Sequence, residues 1–380
     1  MRKHRLADAF VVLLFGAGIS LPLFQQATGV LPRIEVMDNR ALAPPPALDL
    51  TPVDIVNFPR QFETWYADHM GLRGLLVSRY RRLTDAMLRS PDRVMIGRDD
   101  WLYLRKGVVR GDIRTVPLLR DWCGRSTFTE RQLEGWASTI ADNHAWLEER
   151  GIDYLFVVPP NKITVIPDHL PRRVSCRRGT TRLEQLKDAL LQRSGITLVD
   201  LRGVLRQAFE SGTPVWYRTD THWNARGVAV AYSALLKQIV ALQPGARGID
   251  TFDVSKRGAR IGDLGRIVHI DELVPDIRWR VRPASPLSRP APTPFPNQVD
   301  HLERPSSARL VDNPELPAAM VFHDSFFDGP MNELLSESFS HTVFVFHGHP
   351  ELNRALVERE RPDIVIHEMV ERSLLHPFYP

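Results

Sequence analysis

Asp220-Thr221-His222-Trp223 puts an acid and an imidazole two positions apart. About a hundred residues later, Val321-Phe322-His323-Asp324-Ser325-Phe326 offers a hydroxyl just past a short apolar run. A serine hydroxyl attacks a carbonyl poorly until an imidazole takes its proton, and a carboxylate fixes that imidazole's tautomer. Asp and His at i and i+2 of an extended or turning segment lie on one side of the backbone, so Asp220 can reach His222. Singly, each residue has a plainer reading: Ser325 with Asp324 as a helix cap, His222 as a histidine near a helix start, Asp220 as the cap of a turn. Together they point to acyl transfer, with Ser325 as nucleophile, His222 as general base and Asp220 as the orienting carboxylate. Backbone N–H groups of a strand-to-helix turn would hold the oxyanion.

Periodicity indicates the elements that must position these groups. Thr129 and Gln132 form a capping box, and Leu133, Trp136, Ile140 and Leu147 mark one face of the helix that follows. Gly151 ends that helix, and Tyr154–Val158 reads as a strand stopped by Pro159-Pro160. A helix over Arg182–Gln192 leads to a strand over Ile196–Val199. Asn224 caps a helix with Val228, Tyr232, Leu235, Ile239 and Leu242 on one side. Ala319–Phe322, Thr342–Phe346 and Asp363–Ile366 read as strands, separated by helices over Gly329–Ser338 and Glu351–Arg359. Upstream, Phe62, Trp65, Tyr66 and Leu72 keep helical spacing, and Val94–Tyr103 reads as a hairpin with Gly and Asp at its turn. Residues 245–315 are rich in proline and poor in periodicity, so a long irregular insertion is expected there. Continuously apolar strands between amphipathic helices imply an α/β fold, a mostly parallel sheet with helices on both faces. Such sheets bind ligands beyond the carboxyl ends of their strands. Ser325 lies past one such end, and His222 follows the short run Val215-Trp216-Tyr217.

Composition narrows the setting. In 380 residues, 43% hydrophobic content and 25% charged content suit a globular chain with ample core. A net charge of +4 without a lysine-rich tract gives no reason to expect nucleic acid as a partner. Arg2, Lys3 and Arg5 precede a mostly apolar run, Ala9–Phe24, the pattern of a signal or anchor with its basic end in the cytoplasm. The run is shorter than the roughly 20 residues of a spanning helix, yet Phe24-Gln25-Gln26-Ala27 is a poor cleavage site. The favoured expectation is an uncleaved signal-anchor over residues 1–30, a linker over 31–54 around Pro44-Pro45-Pro46, and one folded domain over 55–380 beyond the membrane. A cleaved signal with a soluble periplasmic product, and a buried N-terminal helix, stay open. In that oxidising compartment Cys123 and Cys176 are expected to pair, two free thiols being the alternative. His341, His347 and His349 flank a strand end without a Cys or carboxylate to complete a ligand set, so no metal is expected.

The Asp-x-His-Trp signature and the later Asp-Ser block also carry a family resemblance. The chain resembles the periplasmic alginate O-acetyltransferases (the AlgJ/AlgX group), whose core is similar to the flavodoxin-like SGNH hydrolase fold with its motif order circularly permuted. Gly97 to Leu102, Pro160-Asn161-Lys162 with Pro167, Gly262-Asp263-Leu264, and Pro362 to Ile366 with Glu371-Arg372 also resemble it, so the likeness spans about residues 55–375. It implies that Ser325 is acetylated, with His222 as base and Asp220 orienting it. Asn161 becomes a candidate oxyanion donor or acceptor-sugar contact, a loop turn being the other reading of Asn161-Lys162. Lys162, Trp223 and Asp324 join it on the substrate or oxyanion side, with Trp223 packing beneath the site. His323 stands where the family has Gly. On that resemblance the chain is expected to lack the C-terminal carbohydrate-binding module of the longer members and to be of the shorter, membrane-anchored kind.

The resemblance thus implies a polysaccharide O-acetyltransferase in the periplasm, held to the inner membrane by its N-terminal segment. Its acetyl groups would come from a membrane-embedded O-acyltransferase, with no soluble cofactor. The residues alone leave two alternatives open: a carbohydrate acetylesterase with water as acceptor, and a non-catalytic polysaccharide-binding scaffold.

Overall fold

The computed structural model describes residues 93–108, 115–176, 178–249, 251–268, 274–292 and 306–375, with 15–16, 20–22, 24–25, 28–30, 43–46 and 52–73 nearer the N-terminus. The chain divides into two units, Met1–Pro91 and Asp92–Pro380. In the first, helix α1 (Pro52–His69) carries the aromatic spacing. Phe62 stacks on Phe58 and on Tyr66, both at 5.9 Å between ring centroids, the contact expected four residues apart on a helix. Ala43–Pro46 is in neither helix nor strand. Phe15, Leu21 and Phe24 are exposed, while Arg2, Lys3, Arg5 and most of the remaining apolar run lie outside the described residues.

The second unit opens with the hairpin β1 (Val94–Ile96) and β2 (Leu102–Leu104). Asp99 and Asp100 take φ of 55° and 60°, the left-handed values a tight hairpin turn requires at its central positions. Helix α2 (Glu130–Glu148) starts at Thr129, where both bonds of the capping box form. Next come β3 (Asp153–Val158), α3 (Lys162–Val165), α4 (Arg182–Ser194), β4 (Val199–Asp200) and α5 (Arg202–Glu210). Helix α6 (Ala225–Leu242) is capped by Asn224, whose side chain accepts from the N–H groups of Arg226 and Gly227. Beyond it lie β5 (Phe252–Arg260), α7 (Asp263–Val268), β6 (Asp276–Pro283), β7 (Arg289–Ala291), β8 (Ser307–Leu310) and β9 (Ala318–His323). The described chain ends with α8 (Pro330–Leu335), β10 (His341–Phe346), α9 (Arg354–Glu360) and β11 (Ile364–Glu368), then a short 3-10 turn, Glu371–Leu375.

Seven strands form the central sheet in the order β4-β3-β11-β9-β10-β8-β7. The first five are mutually parallel, and β8 and β7 add an antiparallel edge, so the sheet is mixed. Alternate residues of the parallel strands feed two cores. Val321, Leu155 and Ile366 pack on one face with Val228, Tyr232 and Leu235 of α6. Met320, Phe322 and Phe156 pack on the other with Trp136 and Ile140 of α2 and Leu186 of α4. Each such side chain contributes roughly 1.5–3 kcal/mol by leaving water, which explains why β9 is apolar without alternation. Among the described residues α6 alone is long and apolar enough to cross a membrane. Its Val228, Ala231, Tyr232, Leu235 and Ile239 are buried against the sheet, which accounts for its apolar character.

One expectation needs correction. Residues 245–315 are not one irregular insertion, because β5 and β6 pair along their length as an antiparallel ribbon, and β7 and β8 join the sheet. The interior residues of β5 are exposed throughout, so no buried face imprints a hydrophobic period on the sequence. Val215-Trp216-Tyr217 stands outside the central sheet. Trp216 makes a single antiparallel bridge to Trp223, closing a loop that carries Asp220 and His222.

Candidate active site

Ser325 lies two residues past the carboxyl end of β9, in a turn that precedes α8. Gly329 caps that helix and Pro330 begins it. Ser325 is therefore not a helix cap, and the helix begins five residues away rather than against the hydroxyl. Asp324 shapes the turn. Its Oδ1 accepts from Phe326 N at 2.8 Å and its Oδ2 from Val370 N at 2.9 Å, while its own N–H donates to Glu368 at 2.8 Å. Glu368 is fully buried at the end of β11, and burial followed by the charge of Asp324 pushes its carboxyl well above the usual range. His323 closes β9, buried between Phe344 and Phe346 with Nδ1 at 2.8 Å from the Asp324 carbonyl. An imidazole thus fits where the family has glycine because it packs against Phe344 and Phe346 of the neighbouring strand β10.

The loop bearing Asp220 and His222 is fixed from several sides. Asp276, at the start of β6, accepts from the backbone N–H of Arg218 and Thr219 and from the Thr219 hydroxyl, at 2.6–2.8 Å. Asp263 accepts from Thr221 N and Oγ1 at 2.7 and 2.6 Å. Gly262 passes so close that a Cβ there would lie 2.5 Å from both the Asp220 Cβ and the Thr219 carbonyl oxygen. Trp223 lies beneath the loop, donating its indole N–H to the Phe326 carbonyl at 2.9 Å with its ring 5.3 Å from Phe326. That bond ties the His222 loop to the Ser325 turn.

These constraints bring three side chains into line. The Ser325 hydroxyl is 3.0 Å from His222 Nε2, and His222 Nδ1 is 2.8 Å from Asp220 Oδ1. Since an ionised carboxylate only accepts, Nδ1 carries the proton and Nε2 is the acceptor facing Ser325. Asp220 is 1% exposed. Burial alone would raise its pKa, but the bonds and charge of His222, with the Arg260 guanidinium, hold it well below the usual carboxylate range. It is therefore an anion, the state that favours an imidazolium during proton transfer.

Asn161 and Lys162 stand elsewhere. Neither lines the Ser325 cavity; both border a small recess with Thr221 and Arg372. Lys162 is corrected from a substrate contact to a strut: its buried Nζ donates to the carbonyls of Leu102 and Arg218 at 2.7 and 2.9 Å. Burial brings its pKa down to about 8 against the opposing charges of Asp220, Asp263 and Asp276. Asn161 precedes α3 and donates its N–H to Glu371 at 2.7 Å. Cys123 and Cys176 form a disulfide. Asp220, His222 and Asp263 bring three ligand-type atoms within 4.8 Å of one another. Each already holds a protein donor or acceptor, His222 on Asp220, Asp220 on Arg260 and Asp263 on Thr221.

Ser325 opens into a cavity of about 820 Å³, one wall of which is the β5–β6 ribbon, with Asp328 and Glu333 on the side of the Ser325 turn and α8. Arg257, Arg260, Arg278 and Arg280 line it with Trp279, over which Arg226 stacks at 4.4 Å. Sequence reading missed this arginine wall and the role of Asp276. Asp263 was visible only as part of Gly262-Asp263-Leu264, a run without an assigned part.

A flanked mixed sheet with this site past its strand ends defines an SGNH-like α/β protein. Residues 94–346 match the family described as SGNH hydrolase-like domain, acetyltransferase AlgX, and the chain belongs to that family. It is similar to a probable alginate O-acetylase, AlgJ of Pseudomonas fluorescens, with 28% identity over 231 residues, 60% of this chain and 52% of that protein. The chain thus spans about half the length of that relative. Bacillus cereus PatB1 superposes with a TM-score of 0.53 at 16% identity, over 75% of this chain and 98% of that one. The O-acetyltransferase domain of Pseudomonas putida AlgJ gives 0.46 at 19% identity, over 74% and 92%. At 16% identity the likeness to PatB1 speaks to the fold alone.

Proposed function

We propose that this chain is a serine-dependent O-acetyltransferase acting on hydroxyls of an exported polysaccharide. The observation that carries the reading is the unbroken relay from Asp220 through His222 to Ser325 at the floor of a cavity large enough for sugar units. Ser325 Oγ attacks an acetyl carbonyl as its proton passes to His222 Nε2. The donor's leaving oxygen departs with that proton, which leaves acetyl on Ser325. A sugar hydroxyl then gives its proton to His222 and attacks the ester, and Ser325 Oγ takes the proton back. Family membership supports acetyl as the group moved. The four arginines and Trp279 along the cavity support an acceptor with anionic sugars, since guanidinium forks bind carboxylates and an indole face stacks on a sugar ring. The name of the matched relative makes alginate the first acceptor to try.

The disulfide supports an oxidising compartment, and the basic-then-apolar N-terminus supports attachment to the inner membrane facing the periplasm. A membrane-embedded O-acyltransferase as acetyl supplier and a permuted SGNH motif order belong to the same reading. The test incubates the protein with an aryl acetate, with and without an anionic oligosaccharide. Acetyl appearing on sugar supports transfer. Acetate release that sugar leaves unchanged points to an esterase, and no Ser325-dependent turnover points to a scaffold.

A further inference from the structure

Arg260, the last residue of β5, contacts the carboxylate that orients His222. The Asp220 side chain is 2% exposed, so both its oxygens must be satisfied within the protein. Oδ1 is committed to His222, through Nδ1 at 2.8 Å and the backbone N at 3.0 Å. Oδ2 receives the Arg260 guanidinium and, more weakly, Asp263 N at 3.3 Å. Among the described residues no other side chain donates to Oδ2. We propose that Arg260 is a positioning residue for acyl transfer: by holding Oδ2 of Asp220 it fixes the carboxylate plane that aligns His222 with Ser325, and so ties nucleophile activation to the seating of the β5–β6 ribbon.

Without Arg260, one side of a buried anion keeps a single long hydrogen bond. Rotation about Cβ–Cγ then exchanges the two oxygens, and Nδ1 loses its fixed partner. The ribbon base is held at the same point, because Gly262, two residues on, packs directly against Asp220. Arg260 lies over the Tyr217 ring at 5.3 Å, which sets the direction of its approach. The other charged groups facing the pair cannot replace it. Asp263 stands 3.9 Å from His222 Nδ1 and has the wrong sign, and Lys162 is spent on the carbonyls of Leu102 and Arg218.

The inference rests on the acyl-transfer reading, and its test separates the two. Full-length R260Q, R260K and R282Q are compared with the wild type on a small aryl acetate, which makes no use of the arginine wall. Arg282 is a ribbon arginine outside the cavity, paired with Glu333. R260Q is expected to lower kcat about tenfold, about 1.4 kcal/mol, with KM little changed. R260K recovers most of the loss, and R282Q matches the wild type. The low-field proton resonance of the His222–Asp220 bond shifts or broadens in R260Q and returns in R260K. Wild-type kcat together with an unchanged resonance in R260Q overturns the proposal, as does a kcat loss that leaves the resonance unchanged. If the wild type fails to turn over the ester, the acyl-transfer reading falls, and the resonance alone decides the role of Arg260.

Discussion

Asp324 shows how much of the candidate site rests on residues that order the backbone around the Ser325 hydroxyl. Its carboxylate takes the N–H groups of Phe326 and Val370, joining the Ser325 turn to the end of β11. Asp324→Ala removes both acceptors, and at about 1.5–3 kcal/mol for each charged hydrogen bond it is expected to cost roughly 3–6 kcal/mol in urea unfolding. Turnover should fall with it, and a stability loss below about 1 kcal/mol would contradict this role. Gly262→Ala is a second probe: overpacking costs about 1–3 kcal/mol, and the added methyl meets Asp220 itself. It should depress kcat on an aryl acetate, and a variant with wild-type kcat would show that the contact is compliant. Asp220, His222 and Ser325 were legible in the sequence because each lies in a short motif whose residue types have few joint explanations. Arg260 and the true role of Asp324 were not. Their partners lie 40 and 46 residues away, and only the folded chain pairs them.

At the scale of elements, the strands that carry burial on both faces were readable within a residue or two, β9 and β10 above all. The ribbon was not, because the interior of β5 is exposed and Val281 alone places a fully buried side chain of β6 in the core cluster. Its arginines line the cavity, and charge leaves no period. Arg257→Glu with Arg280→Glu reverses two of the cavity's four arginines. The double variant should raise KM for an anionic oligosaccharide by about tenfold or more, far beyond any change in KM for an aryl acetate. The gap should narrow as salt screens the wall. Equal changes for both substrates would show that the ribbon acts on fold rather than on acceptor.

For the whole molecule, the disulfide and the buried carboxyls set the conditions under which the fold persists. Cys123 and Cys176 are 53 residues apart, and closing such a loop in the unfolded chain corresponds to about 4 kcal/mol. Reduction should therefore lower the thermal midpoint by several degrees, and an unchanged midpoint would refute that contribution. Glu371 is fully buried, and burial, opposed by bonds from Asn161 and Thr164, raises its pKa to about 7. Burial likewise raises Asp121 to about 6. An acid whose pKa is higher in the fold stays neutral there while the unfolded chain ionises. Stability is then greatest below pH 4.5 for Glu371 and falls as pH rises toward 7, by up to roughly 3 kcal/mol. Glu371→Gln should stabilise at pH 8 and not at pH 4; equal effects at both would deny the ionisation. On the proposed reading, the fold and these conditions serve one event, the passage of acetyl through Ser325. Intact-protein and peptide mass spectrometry after brief exposure to an aryl acetate reads that event directly. One acetyl group should appear on Ser325, disappear when the oligosaccharide acceptor is added, and be absent from Ser325→Ala, whose turnover falls at least about a thousandfold. Acetyl absent from Ser325, or a Ser325→Ala variant that still transfers at the wild-type rate, would contradict the account.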